Sequence, residues 1–305
     1  MKSFTAEFAW FDGKFVKSEQ AKVSVMTHAI HYGTSVFEGL RGYWNSKNLN
    51  IFRLNDHIKR FRNSGKVYSI SLKFTDDEIS NAIIQLCKKN SVRQSCYIRP
   101  FYFVGEYGIN LNVNEKTPTH VAIVMFPFGD LFNRNGINAG ISSWKRISDN
   151  STPPLAKMGG NYLNSILATQ EAKRHGYDEA IMLDHLGNVS EAPGENIFVV
   201  RNGKVITPSI SSSALEGITR ESVMTLADDF GYEVIEREIL RTELYLADEI
   251  FLTGTAAEIT PVITVDGKKI GTGKVGKITK QMRALYSDIT SGRNEKYSDW
   301  ITGVY

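Results

Sequence analysis

A lysine in the stretch Pro154-Leu155-Ala156-Lys157-Met158-Gly159-Gly160-Asn161-Tyr162 stands among apolar residues and glycines, just ahead of a helical pattern. Apolar surroundings disfavour an ammonium and favour the neutral, nucleophilic amine that carbonyl chemistry requires. Taken alone, the segment reads as an ordinary exposed loop lysine. A second stretch, Asn188 to Phe198, sets Glu191 and Glu195 four apart in a turn feeding an apolar run. Spacing alone reads them as turn residues or a capping pair. Two further turns, Leu215-Glu216-Gly217-Ile218-Thr219 and Thr253-Gly254-Thr255-Ala256-Ala257, place Gly and Thr where backbone N–H groups can face an anion. The first opens a helix, whose positive end favours phosphate; taken alone, each turn reads as a helix cap.

Other patterns carry no chemistry. Residues 271–276 match G-x-G-x-x-G literally, but a polar hairpin precedes them and no strand-helix-strand unit follows, so a glycine-rich loop is expected. His28 and His31 are three apart without a third ligand at metal-site spacing, so no metal is expected.

Several elements must position these groups. The opening stretch from Ala6 reads as a hairpin turned at Asp12-Gly13, and Asn202-Gly203 and Asp266-Gly267 carry the same signal. Helices are expected from an Asn55 cap, from a Thr75/Glu78 capping box, and over 161–175, 219–231 and 275–291. Strands rich in β-branched and aromatic residues lie near 95–105, 119–129, 136–147, 179–184 and 196–200. The polar stretch 129–136 reads as a linker, dividing a small α/β domain (1–128) from a larger, strand-rich one (137–305).

With 305 residues and 42% apolar composition, the chain needs no disulfide or metal to hold a core. Thirty-six Lys and Arg against 33 Asp and Glu give a formal charge of +3, too small to argue for nucleic acid or an anionic membrane. Cys87 and Cys96 fit a reducing compartment. Glu7 and Asp12 interrupt the apolar core that a secretory leader would need, and no window reaches 18 apolar residues. A cytoplasmic enzyme is the resulting expectation.

Taken together and in order, these blocks resemble the class IV (fold type IV) pyridoxal-phosphate aminotransferases, especially the branched-chain amino acid aminotransferases. The resemblance extends over HYGTSVFEGLRGY (31–43), YIRP (97–100), AKMGGNY (156–162), SEAPGEN (190–196), SSALEGITR (212–220) and YLADEIFLTGTAAEITP (245–261). It implies a two-domain α/β fold whose larger C-terminal domain is a pseudo-barrel with outer helices. It implies transfer of the amino group of leucine, isoleucine or valine to 2-oxoglutarate through pyridoxal 5'-phosphate. A D-amino acid aminotransferase or an aminodeoxychorismate-lyase-type enzyme on the same fold is the alternative.

Residue by residue, the resemblance implies that Lys157 anchors the cofactor and moves the substrate proton. Glu191 would face the pyridine nitrogen, Tyr162 the ring hydroxyl, and Leu215 the ring face. Arg60, the Gly217-Ile218-Thr219 turn and Thr255 would hold the phosphate. Phe37, Gly39, Tyr162 and Phe128 would border an apolar pocket, Tyr97 and Arg99 would meet the glutamate side-chain carboxylate, and Thr255-Ala256 the α-carboxylate. Tyr32 would reach in from a neighbouring copy, implying a homodimer or a larger assembly. One segment departs from the family: after Phe126-Pro127 relatives carry Trp-Gly-x-Tyr, whereas this chain reads Phe128-Gly129-Asp130-Leu131.

Overall fold

The computed structural model describes residues 6–305; the first five residues of the stretch read against a secretory leader lie outside it. In chain order the first elements are β1 (Phe8–Phe11), β2 (Lys14–Lys17), α1 (His28–Tyr32), β3 (Ser35–Phe37), β4 (Leu40–Trp44) and β5 (Leu49–Phe52). Then come α2 (Leu54–Val67), α3 (Asp76–Lys89), β6 (Cys96–Val104), β7 (Thr119–Pro127), β8 (Ile137–Lys145), α4 (Tyr162–Arg174) and β9 (Glu179–Leu183). They are followed by β10 (Asn196–Arg201), β11 (Lys204–Thr207), α5 (Ile218–Asp229), β12 (Val234–Glu236), β13 (Glu249–Gly254) and β14 (Glu258–Val265). The chain closes with β15 (Lys268–Lys269), α6 (Lys277–Thr290) and β16 (Ile301–Gly303). No helix among the described residues is long and apolar enough to cross a membrane.

The chain forms two compact units. One holds the residues up to Gly129 together with Ala156–Gly160 and Asp288–Tyr305; the other holds Asp130–Leu155 and Asn161–Ser287. A single break at a 129–136 linker would assign both returning stretches to the second half, and Lys157 lies in one of them.

The first unit is built on an antiparallel sheet in the order β16-β5-β4-β6-β7-β1-β2, with β3 pairing β6. Along β6 the side chains alternate: Cys96, Ile98 and Pro100 are buried, while Tyr97, Arg99 and Phe101 share the opposite face half-buried. Helix α2 lays Leu54, His57, Ile58, Phe61, Ser64 and Gly65 on its buried side. Gly65 is required there, because a Cβ would stand 1.8 Å from the Tyr102 Oη. The expected Asn55 cap is displaced by two residues: α2 begins at Leu54, after Arg53, whose left-handed backbone (φ 50°) ends the strand. The Thr75/Glu78 capping box forms as the spacing requires, Glu78 N–H donating to Thr75 Oγ1 at 3.2 Å and Thr75 N–H to Glu78 Oε2 at 2.7 Å.

The second unit carries a mixed sheet in the order β12-β11-β10-β13-β14-β8-β9, with β15 on β14. Its core gathers Ile181, Val189, Ile197, Val199, Ile250 and Leu252. The Asn202-Gly203 and Asp266-Gly267 turns hold positive φ at both residues (51° and 73°; 48° and 74°), the conformation that matches two-residue hairpins.

Candidate active site

In the first unit, the pentapeptide 156–160 is pinned by its backbone. Lys157 N–H donates to Ser64 Oγ at 3.0 Å, and Lys157 C=O accepts from Phe37 N–H at 3.1 Å. Met158 bridges Val36, and Gly160 N–H donates to Gly33 C=O at 3.2 Å. A Cβ on Gly159 would sit 2.3 Å from Ser35 Oγ, so only glycine passes so close to β3. Lys157 itself is half-buried, not enclosed, with Nζ 5.0 Å from the centre of the Phe37 ring.

The same Phe37 ring carries Arg99, whose guanidinium carbon lies 4.4 Å from the ring centre. Arg99 Nη2 donates to Tyr97 Oη at 3.2 Å, and its buried Nε has no hydrogen-bond partner. Among the described residues no carboxylate pairs with Arg99, although most buried cations require one. Phe128 packs against Tyr97 at 5.4 Å and under the Arg41 guanidinium at 5.2 Å, so the departing segment begins beside the tyrosine that Arg99 donates to. Gly39 is squeezed against Tyr97, where a Cβ would stand 1.8 Å from Oη.

Arg60 is engaged by an acid that sequence reasoning passed over. Its Nε and Nη2 donate to Glu38 Oε1 and Oε2 at 2.6 and 2.9 Å, a planar fork. His57 Nδ1 lies 2.7 Å from the same Oε2. Glu38 is completely buried. Burial alone raises its carboxyl, but the Arg60 guanidinium and the His57 hydrogen bond outweigh it and hold it well below the usual carboxylate range. Burial, joined by the nearby Arg60 and Lys157 cations, outweighs the pull of Glu38 and lowers His57, so His57 is the neutral donor of the trio.

The second unit gathers the other expected group. Glu191 is 4% exposed, and three donors reach it: Arg146 Nε at 2.6 Å on Oε1, and Asn196 Nδ2 and Leu215 N–H, both at 3.0 Å, on Oε2. Glu195 instead turns back to its own loop, accepting from Gly194 N–H at 3.2 Å. The spacing could not distinguish these two carboxylates; their partners do. Asn196 also fixes the neighbouring turn, because a Cβ on Gly217 would meet its Oδ1 at 1.9 Å. Gly217 caps α5 without a side-chain hydrogen bond, leaving Ile218 and Thr219 in the first turn of a 12-residue helix. Asn196 and Thr253 are cross-strand partners, which brings the Thr255-Ala256 turn to the end of the same strand pair. Tyr162, half-buried, opens α4.

Tyr32 is the outlier. It is 43% exposed, its hydroxyl 3.4 Å from Ile109 C=O and its ring 4.6 Å from that of His28. His28 directs its two ring nitrogens at Thr34 Oγ1 (2.9 Å) and Asn110 C=O (3.1 Å).

Glu38, His57, Ser64, Arg146 and Asn196 were missed. The available signal was His57, Arg60 and Ser64 at i, i+3 and i+7, a polar row on the apolar face of α2.

The sequence pattern of the class IV amino-transferases matches residues 35–265. The chain belongs to the class IV aminotransferases. Among members of this family, the branched-chain-amino-acid aminotransferase of Escherichia coli K12 is 44% identical, covering 100% of this chain and 99% of its own. A probable branched-chain-amino-acid aminotransferase of Aquifex aeolicus is 43% identical over the same shares. The solved branched-chain aminotransferase of Thermoproteus uzoniensis with norvaline superposes with a TM-score of 0.96 at 43% identity, covering 99% of this chain and 100% of that one. The branched-chain amino acid aminotransferase of Thermobaculum terrenum, solved in its PLP-bound holo-form, gives 0.93 at 40% identity, covering 99% of each chain. This class IV chain thus shares its two-sheet α/β fold with both.

Proposed function

We propose that this class IV aminotransferase moves the amino group of branched-chain L-amino acids to 2-oxoglutarate, using pyridoxal 5'-phosphate. Full-length likeness to enzymes named for that activity supports the reading. The observation that carries it is the state of Glu191. A carboxylate offers about four acceptor sites. Two donors occupy Oε2 and one occupies Oε1, so Oε1 can accept one more, which suits a pyridinium N–H. The uncapped start of α5 suits a phosphate in the same way.

When bound, the cofactor supplies the electron sink that stabilises charge developing at the substrate Cα. The remaining work belongs to the protein. Lys157 Nζ accepts the proton from Cα and returns it, serving as general base and then general acid. Its backbone, tied at both N–H and C=O, fixes the point from which that side chain extends. Glu191 holds a proton on the ring nitrogen, and the Arg146–Asn196 frame keeps the carboxylate from swinging away. Tyr162 meets the ring hydroxyl, and Leu215 packs on the ring face. Arg60, the N–H groups of Ile218 and Thr219, and Thr255 take the phosphate.

Two kinds of substrate must share one pocket. Phe37, Gly39, Tyr162 and Phe128 provide apolar borders for leucine, isoleucine or valine. Arg99, which no carboxylate of the described residues neutralises, receives the side-chain carboxylate of glutamate, with Tyr97 beside it. The Thr255-Ala256 N–H groups take the α-carboxylate. Exposed Tyr32 reaches into the site of a second copy, so the working form is at least a homodimer.

The direct test is borohydride reduction of the enzyme followed by peptide mass analysis. The coenzyme mass belongs on the peptide containing Lys157, and its absence there overturns the reading. A panel of half-reactions with L- and D-amino acids, followed by absorbance, then reads the substrate class.

A further inference from the structure

Lys157 and Arg60 belong to one closed circuit of contacts in the first unit. From Lys157 N–H the path runs to Ser64 Oγ, and along one turn of α2 from Ser64 to Arg60. Arg60 forks onto Glu38, the chain neighbour of Phe37, and Phe37 N–H returns to Lys157 C=O. Every link is a hydrogen bond of 3.1 Å or less or a short run of chain. Two groups expected to meet different ends of one cofactor are therefore held at a set separation by Glu38.

Glu38 is unlike an ordinary stabilising ion pair. It is completely buried, and the net contribution of a buried pair to stability is commonly near zero against an apolar substitute of equal volume. It is also saturated with donors: Arg60 twice, His57, and the Gly39 N–H at 3.2 Å. A carboxylate held from this many directions cannot rotate, and neither can the guanidinium plane forked on it. Arginine otherwise carries several rotatable bonds, and fixing them beforehand lowers the entropy lost on binding an anion. We propose that Glu38, braced by His57, is a positioning residue that orients the Arg60 guanidinium for the cofactor's phosphate group.

This inference rests on the reading of Arg60 as a phosphate clamp. The competing role for Glu38 is plain charge neutralisation, which would weaken Arg60 as an anion binder. The two roles predict opposite signs.

The test titrates the cofactor-stripped, full-length enzyme with pyridoxal 5'-phosphate and with pyridoxal, which lacks the phosphate, by fluorescence quenching. The ratio of the two affinities is the phosphate advantage. Arg60→Ala comes first: if that ratio is unchanged, the clamp reading fails and the role of Glu38 in it falls with it. If Arg60→Ala collapses the ratio, Glu38→Gln should lower it by roughly tenfold, the order expected for one charge-assisted hydrogen bond lost, while pyridoxal affinity holds. Combined with Arg60→Ala, the Glu38→Gln substitution should then have no further effect on the ratio. A raised ratio in Glu38→Gln would establish neutralisation, and equal losses for both ligands would establish a merely structural role; either overturns the proposal. Should Glu38→Gln fail to fold, Glu38→Asp keeps the charge but withdraws it by one methylene. It should also lower the ratio, and an unchanged ratio in it counts against the proposal.

Discussion

Ser64 Oγ, on the buried side of α2, accepts the backbone N–H of Lys157 at 3.0 Å, although the two residues are 93 positions apart. A buried hydroxyl is costly unless it is bonded, and here its bond fixes the loop that bears the amine.

Ser64→Ala leaves that N–H without its acceptor. The expected cost is about 1–3 kcal/mol of stability, the usual penalty for an unsatisfied buried donor. Turnover should fall with it because the Lys157 loop is loosened. Chemical denaturation and single-turnover rates, measured side by side, check both; unchanged values for both would contradict the positioning argument.

Glu191→Gln keeps the shape of the side chain but not its charge. The variant should retain bound coenzyme and lose most of its turnover, by about 10²-fold or more, because a neutral amide cannot hold the ring-nitrogen proton. The measurement is kcat together with the coenzyme absorbance. Near-normal turnover would mean that another group faces the ring nitrogen.

Arg99→Ala should separate the two substrate classes. Glutamate loses the partner of its side-chain carboxylate, whereas leucine loses only packing. The kcat/KM for glutamate should fall by roughly 10²-fold, and that for leucine by under tenfold. Equal losses would place the carboxylate elsewhere.

Acid should destabilise the fold in two stages. His57 is held neutral below its ordinary range, so below about pH 6.5 the unfolded chain takes up a proton that the folded chain refuses. Glu38 is held ionised, so below about pH 4.3 the unfolded carboxyl protonates while the folded one does not. In both cases the unfolded state binds more protons and stability falls with falling pH, by up to about 1.4 kcal/mol per pH unit for each group. Urea titrations between pH 3.5 and 7.5 should show this slope, and Glu38→Gln should flatten its part below pH 4.3. A variant as steep as the parent in that range would assign the acid sensitivity to other groups.

Local chemistry was legible where it acts over a few residues. The capping box at Thr75, the three two-residue turns and helix α5 all follow from neighbours in the chain. Helix α1 was not foreseen, because five residues are too few to display a period. Lys157 and Glu191 stood out through the motifs around them. Their supports did not: Arg146 reaches Glu191 across 45 positions, and Arg60 reaches Glu38 across 22. Nothing in local spacing couples residues so distant; the resemblance singled out Glu191 over Glu195, but the donors that hold it come into view only with the fold.

The return of Ala156–Gly160 to the first unit, between stretches that belong to the second, limits where the chain can be divided. A gene cut at Gly129 would hand the amine to one product and its anchoring hydroxyl to the other. Neither product would then contain the Ser64–Lys157 hydrogen bond, so the chain cannot be divided at that point without carrying those five residues along.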